Sequence, residues 1–170
     1  MTAIEGLVAT HRPMVYRLAL SILDDAAEAD EAAQDALLAA LNALDTYRGE
    51  AAFSTWLYTI TLNVCRARLR KRQTAERLLR TLKTFFWPAA DRPRWPEDVA
   101  IHNETEADIW QAVNDLDEKH RLPIILRYYH DFSTDEIARM LTINEGTVRS
   151  RLHPAREQLR VRLNGRLEVK

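Results

Sequence analysis

The segment from Ser133 to Leu159, STDEIARMLTINEGTVRSRLHPAREQL, constrains the fold of this chain more than any other feature. Ser133, followed three residues later by Glu136, forms the capping-box pattern that marks the start of a helix. Apolar residues then recur at helical spacing as far as Leu141. Asn144 can cap a second helix with its side-chain oxygen. The pattern therefore predicts two short helices joined by a tight turn.

The second of these helices carries residue types that suit duplex DNA. Two helices joined by a turn of three or four residues form a helix-turn-helix, whose second helix usually lies in the major groove. The spacing buries Val148 and Leu152 and directs a polar and basic set elsewhere, namely Arg149, Ser150, Arg151 and His153. Any helical hairpin could show this apolar spacing, but the polar residues at the start of the second helix favour DNA.

The rest of the chain predicts an all-α fold. Apolar residues recur at helical spacing from Ile4 to Ile22, from Ala33 to Leu44 and from Phe53 to Val64. No segment shows the sustained alternation of apolar and polar residues that is typical of a β-strand. We predict two small helical domains, residues 1–83 and residues 103–170, joined by a linker over residues 84–102.

The predicted linker is rich in proline and aromatic residues. Three prolines between Thr84 and Pro96 predict extended backbone rather than a regular helix. A purely flexible tether has no need for aromatic side chains, so we expect some of them to dock on a domain or a partner. The aromatic residues concerned are Phe85, Phe86, Trp87 and Trp95.

The formal net charge of −1 conceals an alternation of acidic and basic blocks. The charged residues between Asp24 and Asp35 are all acidic, and those between Arg66 and Lys83 are all basic except Glu76. Residues 91–118 are again acidic and residues 149–166 again basic. Each block alone could be a solvated helix face. The alternation favours two contacts with DNA and one with a further partner.

The third predicted helix combines basic, polar and aromatic residues. Helical spacing places one polar set on a single face, namely Thr55, Thr59, Asn63, Arg66 and Arg70. Aromatic residues, on which unpaired bases can stack, lie close by in the sequence: Tyr47, Phe53, Trp56 and Tyr58. Core packing explains Phe53 and Trp56 at least as well. The combination fits melted DNA better than duplex alone.

The sequence shows no pattern typical of an enzyme or a metalloprotein. Cys65 is the only cysteine, the histidines lack metal-ligand spacing, and there is no glycine-rich phosphate loop. We therefore expect no catalytic activity, cofactor, metal or small-molecule substrate. The amino terminus lacks a signal-peptide pattern and no apolar run is long enough to span a membrane. We expect a cytoplasmic protein without membrane insertion.

Two ordered segments resemble one known family. YRGEAAFSTWLYTITLNVCRARLRKR resembles conserved region two, and FSTDEIARMLTINEGTVRSRLHPAREQLR resembles region four, of bacterial RNA polymerase sigma factors. The resemblance is to the sigma-70 family, in its compact extracytoplasmic-function group, and it covers nearly the whole chain apart from the linker. It implies a protein that binds core RNA polymerase as a monomer, melts the minus-ten promoter element and reads the minus-thirty-five element as duplex. It also implies an anti-sigma factor as a partner. The oligomeric state of the free protein stays open.

The resemblance assigns roles to three sets of residues. The expected surface for core polymerase comprises Asp30, Glu31, Gln34, Asp35 and Leu38. The expected minus-ten residues, which contact the melted non-template strand and the nearby backbone, are Tyr47, Arg48, Phe53, Trp56, Asn63, Arg66, Arg70, Lys71 and Arg72. The expected minus-thirty-five residues are Asn144, Gly146, Thr147, Arg149, Ser150, Arg151 and His153. Gly146 and Thr147 match an amino-terminal phosphate contact, which the free amides of a helix end would support.

The chain departs from the family pattern at several positions. Ala67 stands where an aspartate is common, and Leu37 and Leu38 stand where an aromatic residue is common. Thr142 replaces a turn glycine, so we expect strain at positive φ. Pro154 replaces an arginine and removes one helical hydrogen bond at a cost of about 3 kcal/mol, which could bend the recognition helix. Pro123 indicates that the helix before it is interrupted or begins late.

Two other interpretations remain open from the residues alone. The chain could be a helix-turn-helix regulator whose first domain binds a ligand or dimerises. A helical adaptor that binds only proteins is a third interpretation, but it explains neither basic block. The basic and aromatic third helix favours a sigma factor, because a regulator has no need for a surface that holds melted DNA.

Overall fold

The computed structural model describes residues 3–86 and 104–167, with side chains described between residues 6 and 78 and between residues 107 and 164. Within these ranges the chain forms α-helices and two short helical turns, and no strand. The elements are α1 (Ala3–Leu23), α2 (Ala26–Asn42), a 3₁₀ turn (Leu44–Thr46), α3 (Phe53–Phe86), α4 (Glu104–Asn114), α5 (Glu118–Ile124), a π-helical turn (Ile125–Tyr129), α6 (Thr134–Leu141) and α7 (Glu145–Leu167). The predicted all-α fold is confirmed.

The first three helices pack as a bundle. Asp25 caps α2 by accepting a 2.7 Å hydrogen bond from the amide of Glu28. Leu18 of α1 and Leu57 of α3 are fully buried. The buried face of α2 consists mostly of alanines, which allow close approach of neighbouring helices: Ala29, Ala32, Ala33, Ala36 and Ala40.

Helix α3 is longer than the sequence pattern predicts. It ends at Phe86, so the expectation of non-helical backbone from Thr84 onward is wrong for its first three residues. The reason is local, because the first proline of the segment is Pro88 and disfavours helix only at the residue before it. Trp87 and Trp95 lie outside the described residues, as do the side chains of Phe85 and Phe86.

The predicted interruption ahead of Pro123 is confirmed. Helix α4 ends at Asn114 and α5 begins at Glu118, where Asp117 accepts a 3.2 Å hydrogen bond from the amide of His120. Pro123 lies inside α5 and has no amide hydrogen for the carbonyl of Lys119. The helix widens into the π-helical turn directly afterwards.

The helix-turn-helix has the predicted boundaries and cap. Ser133 Oγ accepts a 3.2 Å hydrogen bond from the amide of Glu136, and Glu136 Oε2 accepts one of 2.8 Å from the amide of Ser133. The bond that the Ser133 amide donates to this carboxylate, followed by one of 2.8 Å from the Ser133 hydroxyl, lowers the pKa of Glu136. Thr142 has the expected left-handed backbone, with φ 56°. Helix α7 nevertheless runs through Pro154 without a break.

The two halves of the chain share one hydrophobic core. Leu18 and Leu62 from the first three helices belong to the same buried cluster as Leu126, Ile137 and Val148 from the second half. A second, smaller cluster lies within the first half alone. The two predicted domains are therefore packed against each other, which the sequence pattern did not indicate.

Candidate nucleic-acid and polymerase interfaces

The start of α7 is built as the sequence predicts. Asn144 Oδ1 accepts hydrogen bonds from the amide of Thr147 at 2.7 Å and from its hydroxyl at 2.8 Å. Val148 and Leu152 are buried. A side chain at Gly146 would place its Cβ 3.4 Å from Asn144 Oδ1, within ordinary contact distance. The Asn144 cap therefore fixes the start of α7 and orients its first turn.

The polar residues of α7 fall on two surfaces rather than one. Arg149, Ser150 and His153 are exposed to solvent, and Arg149 forms an ion pair with Glu145 one turn earlier. Arg151 is half-buried and lines a cavity of about 300 Å³ together with Arg66 and Glu118. Arg149, Ser150 and His153 thus share one solvent-exposed face of α7, and Arg151 lies apart from them.

Three aromatic rings form a cluster at the start of α3. The ring centroids of Tyr47, Phe53 and Trp56 lie 5.4 Å apart in each pair. Tyr47 also donates a 2.7 Å hydrogen bond from its hydroxyl to the carbonyl of Ala51, which fixes the loop between the 3₁₀ turn and α3. All three rings are half-buried, so each presents part of its surface to solvent.

A cavity of about 250 Å³ lies beside this cluster. Tyr47, Arg48 and Trp56 line it from the first domain, and Arg139 and Met140 of α6 line it from the second. The cavity thus combines aromatic and basic side chains, the combination that binds unpaired bases and their phosphates.

The polar face predicted along α3 divides into two parts. Thr55 and Thr59 line the cavity beside the aromatic cluster, and Asn63 is exposed further along. Arg66 is instead paired with Glu118 of the second domain, with 3.2 Å from its Nε to the carboxylate. The helical spacing placed these residues on one face correctly, but it carried no information about the neighbouring domain.

Tyr58 is not part of the aromatic cluster. Its ring packs edge-on against Phe132, at 4.8 Å, and lies 5.6 Å from the ring of His130. Burial raises its pKa. Tyr58 therefore lies apart from the aromatic cluster and faces the second domain, although the two are close in the sequence.

The basic block of α3 has two orientations. Arg70, Lys71 and Arg72 are exposed, and Arg72 lies 3.4 Å from Glu76 one turn later. Arg68 turns the other way and pairs with two acids of α2. The exposed part of the block is the part available to a nucleic-acid backbone.

The acidic side of α2 is partly neutralised within the domain. Arg68 donates to Glu31 at 3.0 Å and to Asp35 at 2.5 Å, and the bond to Asp35 is the main reason that the pKa of Arg68 is raised. Asp30 accepts from Arg12 at 2.6 Å and from Gln34 at 2.9 Å.

Leu38 follows on the same helix with 59% of its surface exposed. The predicted polymerase surface is therefore an ordered acidic network that ends in an uncovered leucine.

Several residues at these surfaces have no signal in the sequence. Glu118, Arg139 and Met140 border the predicted nucleic-acid residues only because the two domains pack together. Each is distant in sequence from its partner, and spacing along one helix cannot reveal contacts of this kind.

In the described ranges, no three histidine, cysteine or acidic side chains lie close enough to hold a metal ion. Cys65 is buried, and burial raises its pKa to about 12. No helix in the described parts of the chain has the length and apolar character needed to cross a membrane.

Both halves of the chain match known families. Residues 7–75 match Sigma-70 region 2, and residues 106–159 match Sigma-70 region 4. The chain is 32% identical to the ECF RNA polymerase sigma factor SigW of Bacillus subtilis over 166 residues, which are 95% of this chain and 89% of the relative.

Solved structures show the same fold. The chain resembles the sigma factor RpoE of Bartonella quintana, crystallised with the anti-sigma factor NepR, with a TM-score of 0.71 and 24% identity over 96% of this chain and 98% of that one. It also resembles CnrH, solved in complex with the cytosolic domain of CnrY, with a TM-score of 0.67 and 26% identity over 96% of this chain and 88% of the other.

Proposed function

The chain belongs to the sigma-70 family of RNA polymerase sigma factors, in its extracytoplasmic-function group, and we propose how its residues divide the work of promoter recognition. As a sigma factor it binds core RNA polymerase and directs it to promoters. We assign the melted minus-ten element to the first domain and the duplex minus-thirty-five element to the second. The observation that carries the division is the aromatic cluster of Tyr47, Phe53 and Trp56, which suits unpaired bases rather than duplex.

In the proposed mechanism, α7 reads the duplex from its amino-terminal half. Arg149, Ser150 and His153 are exposed, and an arginine can donate two hydrogen bonds to one guanine in the major groove. The amides at the start of α7 and the side chain of Thr147 bind a neighbouring phosphate. Arg151 contributes only after it leaves the cavity that it lines beside Arg66.

The first domain holds the non-template strand after the bases separate. A base that leaves the stack fits beside Trp56, where Arg48 can contact its phosphate. Asn63 offers an amide for a base edge, and Arg70 with Lys71 attracts the backbone through exposed positive charge. This arrangement stabilises the melted state relative to the duplex and so favours opening.

Core polymerase docks on α2 in this proposal. Leu38 supplies an apolar contact at one end of this surface, and the acids before it on α2 supply complementary charge for a basic surface. Arg12 and Arg68 hold Asp30, Glu31 and Asp35 in place, so less side-chain entropy is lost on binding than for free side chains.

We further propose that the protein acts in the cytoplasm without catalysing a reaction itself, and that an anti-sigma factor restrains it. The support for a protein partner of this kind is the likeness to CnrH, which was solved in complex with the cytosolic domain of a second protein, CnrY. No small-molecule substrate or cofactor is needed for any step proposed here.

Transcription from the host's own DNA tests the proposal. Purified protein is mixed with core RNA polymerase and fragmented genomic DNA, and transcript starts are mapped by sequencing. We expect co-elution with core polymerase and starts that share two upstream elements. Trp56→Ala is expected to lose these transcripts, whereas Arg160→Ala, an exposed arginine paired with Glu157, is expected to retain them. Starts identical to those of core polymerase alone would contradict the proposal.

A further inference from the structure

The cavity that Arg151 lines is electropositive. It lies where three helices meet, and Arg66 of α3, Lys119 of α5 and Arg151 of α7 each place a cation on its wall. Among the described residues, Glu118 is the only carboxylate that lines it. Three positive charges and one negative charge leave the lining with a net charge of +2. The proposed function assigns no ligand to this space.

Glu118 neutralises the cavity incompletely because two arginines share it. Its carboxylate accepts a 3.2 Å hydrogen bond from Nε of Arg66, and among the described residues no acceptor is bonded to the two terminal nitrogens of that guanidinium. Glu118 also acts on Arg121, whose pKa is lowered by burial and raised in part by the charge of Glu118. One carboxylate therefore faces two guanidinium groups, and Arg66 keeps two nitrogens for another acceptor.

Arg151 has the least compensated charge of the three cations. Its side chain is half-buried, and within the described parts of the chain no carboxylate pairs with it. A charge that is partly removed from water is costly unless it is paired. Lys119 lies 3.5 Å from Asp117, but both side chains are more than half exposed, so the pair contributes little. Both cations are available to an anion in the cavity.

The rest of the cavity wall is apolar. It consists of Leu122, Pro123, Leu141 and Ile143, and all but Ile143 are buried in the core. Small-molecule sites have this composition, a mainly apolar surface with a few placed polar groups. An inorganic ion would use only the cations, whereas a molecule with an organic part would use the apolar wall as well.

The size of the cavity favours a small molecule over DNA. A cube of about 300 Å³ has an edge of about 7 Å, whereas the major groove of duplex DNA alone is about 12 Å wide. Pockets for small molecules begin at about 300 Å³. A phosphate monoester carries a charge of about −1.5 to −2 at pH 7, which complements the net charge of the lining.

We propose that this cavity is a regulatory site for a small organic phosphate. Arg66, Lys119 and Arg151 hold the phosphate through charge-assisted hydrogen bonds, which arginine can form in pairs with phosphate oxygens. The organic part lies on the apolar wall. Glu118 repels the phosphate and so limits the affinity of the site. The ligand is bound and released unchanged.

The regulatory consequence rests on the proposed function, whereas binding itself does not. Arg66 is assigned to the minus-ten element and Arg151 to the minus-thirty-five element. A phosphate that holds both guanidinium groups withholds one residue of each set from DNA. The ligand should therefore weaken promoter binding, and by linkage DNA should weaken ligand binding by the same factor.

Two-dimensional NMR of the isotopically labelled full chain tests binding and locates it. Adenosine monophosphate is the organic phosphate, inorganic phosphate tests the anion alone, and adenosine tests the organic part alone. We expect adenosine monophosphate to shift the amide resonances around Lys119 and Arg151, with a Kd below about 1 mM. Inorganic phosphate should bind roughly tenfold more weakly, because it buries no apolar surface. Adenosine should cause no shift at these residues.

Four variants distinguish the cavity from general surface charge. Arg151→Gln should weaken binding of adenosine monophosphate roughly tenfold, and Lys119→Gln, at the exposed rim, roughly threefold. Glu118→Gln should strengthen binding severalfold, a gain that a misfolded protein would not show. Arg156→Gln, the matched control, removes an exposed arginine of α7 that does not line the cavity and should match the wild type.

Several results would overturn the proposal. The first is the absence of shifts around Lys119 and Arg151 with both adenosine monophosphate and inorganic phosphate at about 10 mM. The second is equal weakening by Arg151→Gln and Arg156→Gln, which would assign binding to surface charge alone. Shifts at these residues with promoter DNA but not with adenosine monophosphate would assign the cavity to a backbone phosphate. Equal affinity for the two phosphates would refute the role of the apolar wall.

Competition with DNA tests regulation separately. Fluorescence anisotropy with promoter DNA identified by transcript mapping should show severalfold weaker binding in saturating adenosine monophosphate, and no change in adenosine. Adenosine monophosphate that binds in the cavity and leaves DNA binding unchanged refutes the regulatory role. Promoter-directed transcription by the same protein without ligand reports the proposed function, so a protein that transcribes but binds neither phosphate refutes the ligand site alone.

Discussion

The hydroxyl of Thr134 donates a 2.7 Å hydrogen bond to Glu145, which joins the first residue of α6 to the first residue of α7. The same carboxylate pairs with Arg149 one turn along α7. Glu145 thus orients the recognition helix relative to α6 and also holds the arginine that we expect to read DNA. Arg149 must exchange this partner for a base when it binds.

We predict that Thr134→Val lowers the denaturation midpoint of the protein at pH 7. The bond from Thr134 is the first cause of the lowered pKa of Glu145, with Arg149 second. A carboxyl group whose pKa is lowered by folding stabilises the folded state at pH values above its unfolded pKa of about 4.5. This stabilisation is lost as the pH falls from 4.5 through the lower pKa of the folded state. The difference between variant and wild type should therefore shrink below pH 4.5. Thr74→Val, on the exposed side of α3, is the control and should show no such pH dependence.

We predict that Arg149→Ala weakens binding to the minus-thirty-five duplex and relaxes its sequence preference. A bidentate contact of an arginine with guanine is worth about 1–3 kcal/mol of discrimination. Fluorescence anisotropy with cognate and scrambled duplexes measures both effects. Equal loss on the two duplexes would make Arg149 a phosphate contact only. Arg160→Ala supplies the comparison, since Arg160 pairs with Glu157 further along the helix.

We predict that Thr142→Gly raises the free energy of unfolding by about 1 kcal/mol. A left-handed backbone costs a branched residue about 1–2 kcal/mol, which glycine avoids. Part of this gain is offset because glycine loses more chain entropy on folding. Thr142 has φ 56° at the end of α6 and is exposed, so the substitution removes no buried contact. Urea unfolding gives the difference. Thr74→Gly, inside α3, is the control and should lower the free energy of unfolding. If glycine lowers it at both positions, the backbone of Thr142 is not strained.

Local features of the fold could be predicted from the sequence because their causes lie within a few residues. The capping box of Ser133 and Glu136, the cap at Asn144 and the left-handed Thr142 each depend on side chains no more than one turn away. Helical spacing likewise identified the buried Val148 and Leu152.

The relation between the domains could not be predicted in this way. Tyr58 has the same residue type and nearly the same position as the aromatic residues of the cluster, yet it packs on Phe132. Arg66 continues the basic block, yet it pairs with Glu118. In both cases the partner lies far along the chain, and a single sequence without tertiary information does not identify it.

We predict that replacing Arg70, Lys71 and Arg72 together with alanine weakens DNA binding evenly across sequences. These side chains are exposed, and each lost phosphate contact lowers the log-log salt slope by roughly 0.9 on duplex DNA. Affinity measured over a series of salt concentrations gives the slope. An unchanged slope would show that the block faces solvent or protein. The single variants Arg70→Ala and Arg12→Ala, each of which removes one positive charge, separate a lost phosphate contact from a lost charge, because Arg12 lies outside the block and is paired with Asp30.

We predict that Asn63→Ala spares the closed promoter complex and impairs strand opening. Asn63 is exposed on α3 beyond the aromatic cluster, where stacking of unpaired bases is worth about 1–3 kcal/mol per base. A contact made only with melted DNA stabilises the open complex and leaves duplex binding unchanged. A template with a pre-melted mismatch bubble should therefore rescue much of the defect, because the cost of opening has been removed. Permanganate footprinting on intact and bubble templates measures this, with Gln73→Ala on the same helix as the control. Equal impairment on both templates would assign Asn63 to base selection or folding rather than to opening.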